Sequence, residues 1–127
     1  MIAKILIADD DKDITALLND YLTGKNHRVI VVNDGFQCAQ KAAEHRPHII
    51  ITDIQMPGAY GSSVYQVLQK DAYTASIPIL FISAHPLKEL KNILPDDPKT
   101  RFLAKPLSLP ELDRLIGELL PLGGYVP

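Results

Sequence analysis

Five short apolar runs, each broken off by a polar or charged residue and each followed by a stretch of helical period, constrain this chain more than any other feature. Lys4 to Ala8, Arg28 to Val32, His48 to Thr52, Ile77 to Ile82 and Phe102 to Ala104 show little polar alternation. A half-exposed antiparallel strand alternates apolar and polar residues, whereas a strand covered by helices on both faces reads as a continuous apolar run. Five strand-then-helix units in a row therefore predict an α/β fold built on a doubly wound parallel sheet.

The intervening segments carry the helical signals. Ile14, Leu17, Leu18, Tyr21 and Leu22 fall at i, i+3, i+4, i+7 and i+8, the inner stripe of a first helix that Gly24 should stop. Asn33-Asp34-Gly35 is a turn into a second helix, Phe36 to His45, whose small apolar face is Phe36, Ala39, Ala42 and Ala43. After a Met56-Pro57-Gly58 turn, Ser62 or Ser63 can cap a third helix carrying Val64, Val67 and Leu68. Leu87, Leu90 and Leu94 mark a short fourth helix, closed early by Pro95 and Pro98. Ser108 and Glu111 form a capping box for the last, lined by Leu112, Leu115, Ile116 and Leu119. Residues 1–120 make one domain, and the Gly- and Pro-rich residues 121–127 a loosely held tail.

Length and charge exclude several classes. A chain of 127 residues holds one core, and a net charge of -2 gives no general electrostatic reason to bind nucleic acid or anionic lipid. Cys38 is the only cysteine, so an internal disulfide and a thiolate metal site are both excluded. It reads as a small apolar helix residue. No apolar run is long enough to span a membrane, which points to a cytoplasmic chain starting at its own Met1.

In a parallel sheet all strands end on one edge, so the residues after each strand form one surface. Here those residues are Asp9 and Asp10, Asp53, Ser83 and Ala84, and Lys105. Singly each has a duller explanation: an acidic loop with a helix cap, a turn serine, a surface lysine. Together they place three carboxylates, a hydroxyl and an ammonium in one crevice. Such carboxylates repel unless a cation sits among them, and all-oxygen ligands suit a hard ion such as Mg²⁺. Asp53 then becomes a nucleophile aimed at phosphorus, with Lys105 and Ser83 left for the phosphoryl oxygens.

These residues resemble response-regulator receiver domains of two-component signalling over essentially the whole chain. The resemblance rests on ILIADDD at the first strand, D-I-Q-M-P-x-x-x-G around Asp53, ISA at the fourth strand and FLAKP at the fifth. It implies a flavodoxin-like fold with strand order 2-1-3-4-5 and helices on both faces. It implies that Asp53 is the phospho-acceptor, and that Asp9, Asp10, Asp53 and the backbone carbonyl of Gln55 hold Mg²⁺. Ser83 and Lys105 take the family's hydroxyl and lysine positions, Phe102 the aromatic switch position, and the Lys105-Pro106 bond is expected to be cis. The implied phosphodonor is a histidine kinase or histidine phosphotransfer protein, the output a downstream protein target, with no direct role for nucleic acid or membrane. Such a domain is no enzyme beyond its own phosphorylation and dephosphorylation.

Tyr60 stands where an acidic residue often precedes the glycine, and Asp96 to Arg101 (DDPKTR) replaces the usual small residues before the fifth strand. Phe102 has no hydroxyl, so switching there must rest on packing. Gln55 and His85, each two residues past a site residue, are placed to tune water access to an acyl phosphate; His27, His45 and His48 carry no motif. Alternatives are a receiver fragment of a larger regulator or hybrid kinase, a phosphohydrolase with an aspartyl nucleophile at Asp9, and a receiver acting by binding alone. Asp9 with Asp11 imitates the phosphohydrolase spacing only weakly.

Overall fold

The computed structural model describes residues 2–56, 59–90 and 94–126, with the backbone alone at 55, 56, 59–63 and 87. The chain runs β1 (Lys4–Ala8), α1 (Lys12–Gly24), β2 (Arg28–Val32), α2 (Gly35–His45) and β3 (Ile49–Asp53). A two-stranded antiparallel pair follows, β4 (Gln55–Met56) and β5 (Ala59–Tyr60), then α3 (Gly61–Gln69) and the single turn α4 (Ala72–Ala75). The second half is β6 (Ile79–Ser83), α5 (Leu87–Leu90), β7 (Thr100–Ala104), α6 (Leu109–Leu119) and a 3-10 turn at Leu120–Gly123. Pro57 and Gly58 of the expected turn lie outside the described residues, as do the side chains of the expected caps Ser62 and Ser63, whose backbone falls within α3.

The main sheet is parallel throughout, in the order β2-β1-β3-β6-β7. Counting only its own five strands, this is the expected 2-1-3-4-5. The three central strands are buried almost end to end, as their unbroken apolar runs require. Alternate residues divide between two cores with the period of two that a strand imposes. Ile5, Ile7, Ile49, Ile51, Leu80 and Ile82 face one side, covered by Leu18 and Leu22 of α1 and by Leu112, Leu115, Ile116 and Leu119 of α6. Leu6, Ala8, Ile50, Ile79 and Phe81 face the other, covered by Cys38 and Ala42 of α2 and by Val64 and Leu68 of α3. At about 1.5–3 kcal/mol per fully buried large apolar side chain, these two layers are the main stabilising term.

Each inner stripe is narrower than the sequence pattern. On α1, Leu17 is exposed and Thr15 is buried in its neighbourhood, its hydroxyl satisfied by the Lys12 carbonyl at 3.1 Å. On α2 the buried line is Gly35, Cys38 and Ala42, while Ala43 is exposed and Phe36 is 83% exposed. Small residues let α2 approach the sheet closely, and the large ring does not fit on that face. Val67 of α3 also faces solvent. α1 runs through Gly24, and the left-handed residue that turns the chain is Asn26, with φ 70° and its N–H donating to the Thr23 carbonyl at 2.9 Å. Only half of the expected capping box forms on α6: Ser108 accepts from the Glu111 N–H at 3.4 Å, while the Glu111 carboxylate turns to Arg114.

The tail is docked, contrary to expectation. Tyr125 donates its hydroxyl to the Ile2 carbonyl at 2.6 Å and sets its ring edge-on to His48, centroids 4.8 Å apart. Gly123 packs so closely on Pro78 that an added Cβ would lie 2.5 Å from its ring. Residues past the last helix therefore close the end of the sheet where the strands begin.

Leu17 and Leu18 sit side by side on one predicted stripe yet differ in burial. Leu18→Ala should lower the unfolding free energy by about 2–5 kcal/mol, and Leu17→Ala should change it by less than about 0.5 kcal/mol; urea titration of both variants measures the contrast.

Candidate functional site

The sheet carries its hydrogen-bond ladder just past the strand ends, and this fixes where each polar residue stands. Asp9 donates its N–H to the Val32 carbonyl at 3.3 Å, Ile54 donates to Ile82 at 3.1 Å, and Lys105 donates to Ser83 at 2.8 Å. Asp9, Asp53, Ser83 and Lys105 are thereby tied to one sheet edge by backbone bonds. Asp11 caps α1, accepting from the N–H groups of Asp13 at 2.9 Å and Ile14 at 3.4 Å. Its own N–H donates to Asp9 Oδ1 at 2.9 Å, which aims the Asp9 carboxylate.

Asp9, Asp10 and Asp53 each offer a carboxylate oxygen within 4.8 Å of the others. Asp9 is wholly buried, Asp53 is 7% exposed and Asp10 is open to solvent. Lys105 reaches between the two buried ones, with Nζ 3.0 Å from Asp53 Oδ2 and 2.9 Å from Asp9 Oδ2. The contact to Asp53 is a hydrogen bond, whereas the contact to Asp9 is close but misaligned and leaves Asp9 Oδ2 buried without a hydrogen-bond donor among the described residues. The Lys105-Pro106 peptide is cis.

Burial pushes the Asp9 carboxyl above the usual carboxylate range, and the Asp53 charge adds to it; the Asp11 N–H and Lys105 act the other way without cancelling the rise. Burial also works against the Lys105 ammonium, but the nearby Asp9 and Asp53 carboxylates outweigh it and raise the group. Among the described residues one ammonium thus stands against three carboxylates. Buried oxygen ligands, an Asp9 Oδ2 without a hydrogen-bond donor among the described residues and excess negative charge fit a hard divalent cation such as Mg²⁺.

Ser83, on the neighbouring strand end, is buried, and its Oγ accepts the His85 N–H at 3.0 Å. The His85 imidazole is half exposed and lies 3.7 Å from Glu89. Gln55 opens β4 immediately beyond the Asp53 strand, which places its backbone at the same edge. Phe102 lies on β7 opposite Phe81, half-buried against the second core together with Tyr65 and Leu94.

Sequence reading missed the support behind Phe102. Tyr65 donates its hydroxyl to Asp97 Oδ2 at 2.7 Å, and Asp97 also accepts the Lys99 N–H at 2.9 Å. This bond ties α3 to the DDPKTR approach to β7. Burial alone would raise the Asp97 carboxyl, but the Lys99 N–H, the Tyr65 hydroxyl and the Lys99 ammonium together hold it below the usual range. Burial first, and then the hydrogen bond to Asp97 and its charge, push the Tyr65 hydroxyl up to about 12. A tyrosine and an aspartate far apart in sequence carry no local signal that they meet.

A model of the response regulator receiver domain matches residues 5–117. The polar-differentiation response regulator DivK of Brucella anthropi is 26% identical over 117 residues, covering 92% of this chain and 95% of that protein. The sensor histidine kinase TmoS of Ectopseudomonas mendocina is 30% identical over 118 residues, 92% of this chain, which spans only 12% of the kinase's length. Among solved structures, a response regulator of Desulfuromonas acetoxidans superposes with a TM-score of 0.80 at 28% identity, covering 94% of this chain and 97% of that one. The receiver domain of the sensor histidine kinase PA1611 of Pseudomonas aeruginosa, a structure with a magnesium ion coordinated in its active site cleft, gives 0.81 at 24% identity, covering 98% and 100%.

Asp9→Asn keeps an oxygen for the Asp11 N–H and removes the buried charge. In EDTA near neutral pH this variant should be more stable than the unsubstituted chain by about 1 kcal/mol, and it should lose most of any Mg²⁺-dependent rise in Tm. Asp97→Asn should cost about 1 kcal/mol at pH 7. Because the folded carboxyl lies low, that loss is full above the ordinary carboxylate value and vanishes as pH falls through the lowered one; denaturation at pH 7 and pH 3 measures it.

Proposed function

The chain belongs to the response regulator receiver domain family, and from that premise we propose that it accepts a phosphoryl group on Asp53 from a histidine kinase or histidine phosphotransfer protein. As a member of that family it is a receiver domain of two-component signalling. The observation that carries the finer reading is the Lys105 ammonium bound to Asp53 beside two further carboxylates. A lone buried carboxylate makes a poor nucleophile for an anionic phosphoryl group; one flanked by a cation and a metal-ligand set does not suffer that repulsion.

In the proposed transfer an Asp53 carboxylate oxygen attacks phosphorus, the P–O bond forms as the phosphohistidine P–N bond breaks, and the imidazole leaves carrying its proton. Lys105 exchanges its Asp53 contact for a phosphoryl oxygen without leaving the edge, since its backbone is tied to Ser83. Ser83, whose oxygen accepts the His85 N–H, still has its own O–H to donate to another phosphoryl oxygen. Asp9, Asp10 and Asp53, with the Gln55 carbonyl, would hold Mg²⁺, which supplies neutralisation of the negative charge that gathers at the reacting phosphorus. Movement of Ser83 draws on the loop through His85, and Phe102 follows by packing, so the altered surface is read by a downstream protein. Residues 1–120 are the receiver unit on this reading, with 121–127 its closing tail. No described helix is long and apolar enough to cross a membrane, in keeping with a cytoplasmic role.

The match within TmoS supports a second reading, that the sequence is the receiver portion of a longer regulator or hybrid kinase. The open reading frame around its coding segment decides between the two.

Incubation with a small acyl phosphate and Mg²⁺ should add the mass of one phosphoryl group to the unsubstituted chain and none to Asp53→Asn. Absence of the adduct in both overturns the proposal, and turnover of a phosphomonoester that needs Asp9 but not Asp53 would point to a phosphohydrolase instead. Exchanging Gln55 and His85 together should shift the lifetime of the adduct on the order of tenfold, equivalent to about 1.4 kcal/mol in the hydrolysis barrier; an unchanged lifetime removes them from that role.

A further inference from the structure

The sheet edge opposite the carboxylates carries a second group of titratable side chains, which the phosphoryl chemistry does not use. His27 leads into β2 and His48 into β3, the two strands that flank β1. Each turns a ring nitrogen onto the entry of β1. His27 Nδ1 accepts the Ala3 N–H at 3.0 Å, and His48 Nδ1 accepts the Lys4 N–H at 2.8 Å. The backbone completes the same joints: Arg28 donates to the Ala3 carbonyl at 2.9 Å and His48 to the Lys4 carbonyl at 2.8 Å. A ring nitrogen that accepts from a backbone N–H has no proton of its own, so both imidazoles are neutral with the proton on Nε2.

We propose that His27 and His48 form a proton-operated clamp on the entry of β1, which holds Ala3, Lys4 and the docked tail while both rings are neutral and releases them when both are protonated. A proton added at Nδ1 would set a donor against a donor at 3 Å or less, so each ring must rotate away and give up its backbone partner. Release at His48 reaches the tail directly, because the Tyr125 ring stands edge-on to that imidazole while its hydroxyl holds Ile2.

The surroundings favour the neutral rings. Burial is the largest influence on His27; the amino terminus and Lys25 also oppose an imidazolium there, and only Asp113 of α6 favours one. That aspartate is already engaged by Lys25 at 2.8 Å and by the Tyr21 hydroxyl. His48 is exposed at the surface, and there the partial loss of hydration around the ring comes first and Lys4 adds to it, with the Lys4 ammonium donating to the His45 carbonyl at 2.8 Å on the same side. The aromatic Tyr125 brings no charge. Both histidines are thus lowered from the ordinary imidazole value. Their contribution is full above that value and is lost as pH falls from it to the lowered one.

Asparagine places Oδ1 where histidine places Nδ1 and accepts the same bond but cannot be protonated. Amide hydrogen exchange followed by NMR on the full chain, between about pH 7.5 and pH 5, compares the unsubstituted protein with the double variant His27→Asn/His48→Asn. Protection at Ala3 and Lys4 should fall on the order of tenfold in the unsubstituted protein, while the Ile50 and Ile51 amides of β3 keep theirs; the double variant should show no such fall. Protection that is flat in the unsubstituted protein, or that falls equally in both, overturns the clamp. Should the double variant fail to fold, titration of the two imidazoles in the unsubstituted protein decides. Midpoints below the ordinary value that coincide with loss of protection support the clamp, and midpoints at or above it overturn it.

Discussion

A single ammonium set between two buried carboxylates is the interaction on which the carboxylate edge depends. Asp9 is completely buried, and without Lys105 its charge would face Asp53 and Asp10 with the Asp11 N–H as its one offsetting contact among the described residues, a situation that costs several kcal/mol in a protein interior. The bridge is rigid because its carriers are rigid. Lys105 is held by a backbone bond to Ser83, and the Asp53 strand is continued by a bond from Ile54 to Ile82. Yet the compensation is incomplete, since Asp9 Oδ2 has no aligned donor among the described residues. The edge is therefore folded but electrostatically unsatisfied, which is the condition a bound cation would relieve.

The two ends of the sheet solve different problems. At the carboxylate edge one buried oxygen, Asp9 Oδ2, has no hydrogen-bond donor among the described residues. At the other edge the strand entries are closed by side chains, with neutral imidazoles accepting from β1 and Tyr125 fastening the tail. Between them lie two apolar layers on opposite faces, and neither layer contains the acidic cluster. Chemistry at one end can thus change without unpacking the core.

Much of this was legible beforehand because it follows from short-range pattern. Unbroken apolar runs betray strands buried on both faces, and a parallel sheet puts every strand end on one edge, so Asp9, Asp53 and Lys105 could be brought together on paper. Helix faces were less legible. Periodicity cannot tell Leu17 from Leu18 or recognise that α2 turns Gly35, Cys38 and Ala42 inward in place of Phe36, since the choice depends on how close the helix lies to the sheet. The tail was misread for a related reason: Gly and Pro suggest looseness locally, but Gly123 is what lets the chain lie against Pro78.

The sequence by itself determined the fold class, the two-layer covering of the sheet and the set of polar residues at the strand ends, because these rest on alternation, helical period and the common direction of the strands. Only the tertiary structure decided how those residues bear on one another. That Lys105 bonds Asp53 yet meets Asp9 off-axis, that Tyr65 finds Asp97, and that two histidines without a motif take the backbone of β1 are all contacts between residues distant in the chain. No local pattern encodes them, because ångström distances and bond angles are set by how whole elements pack.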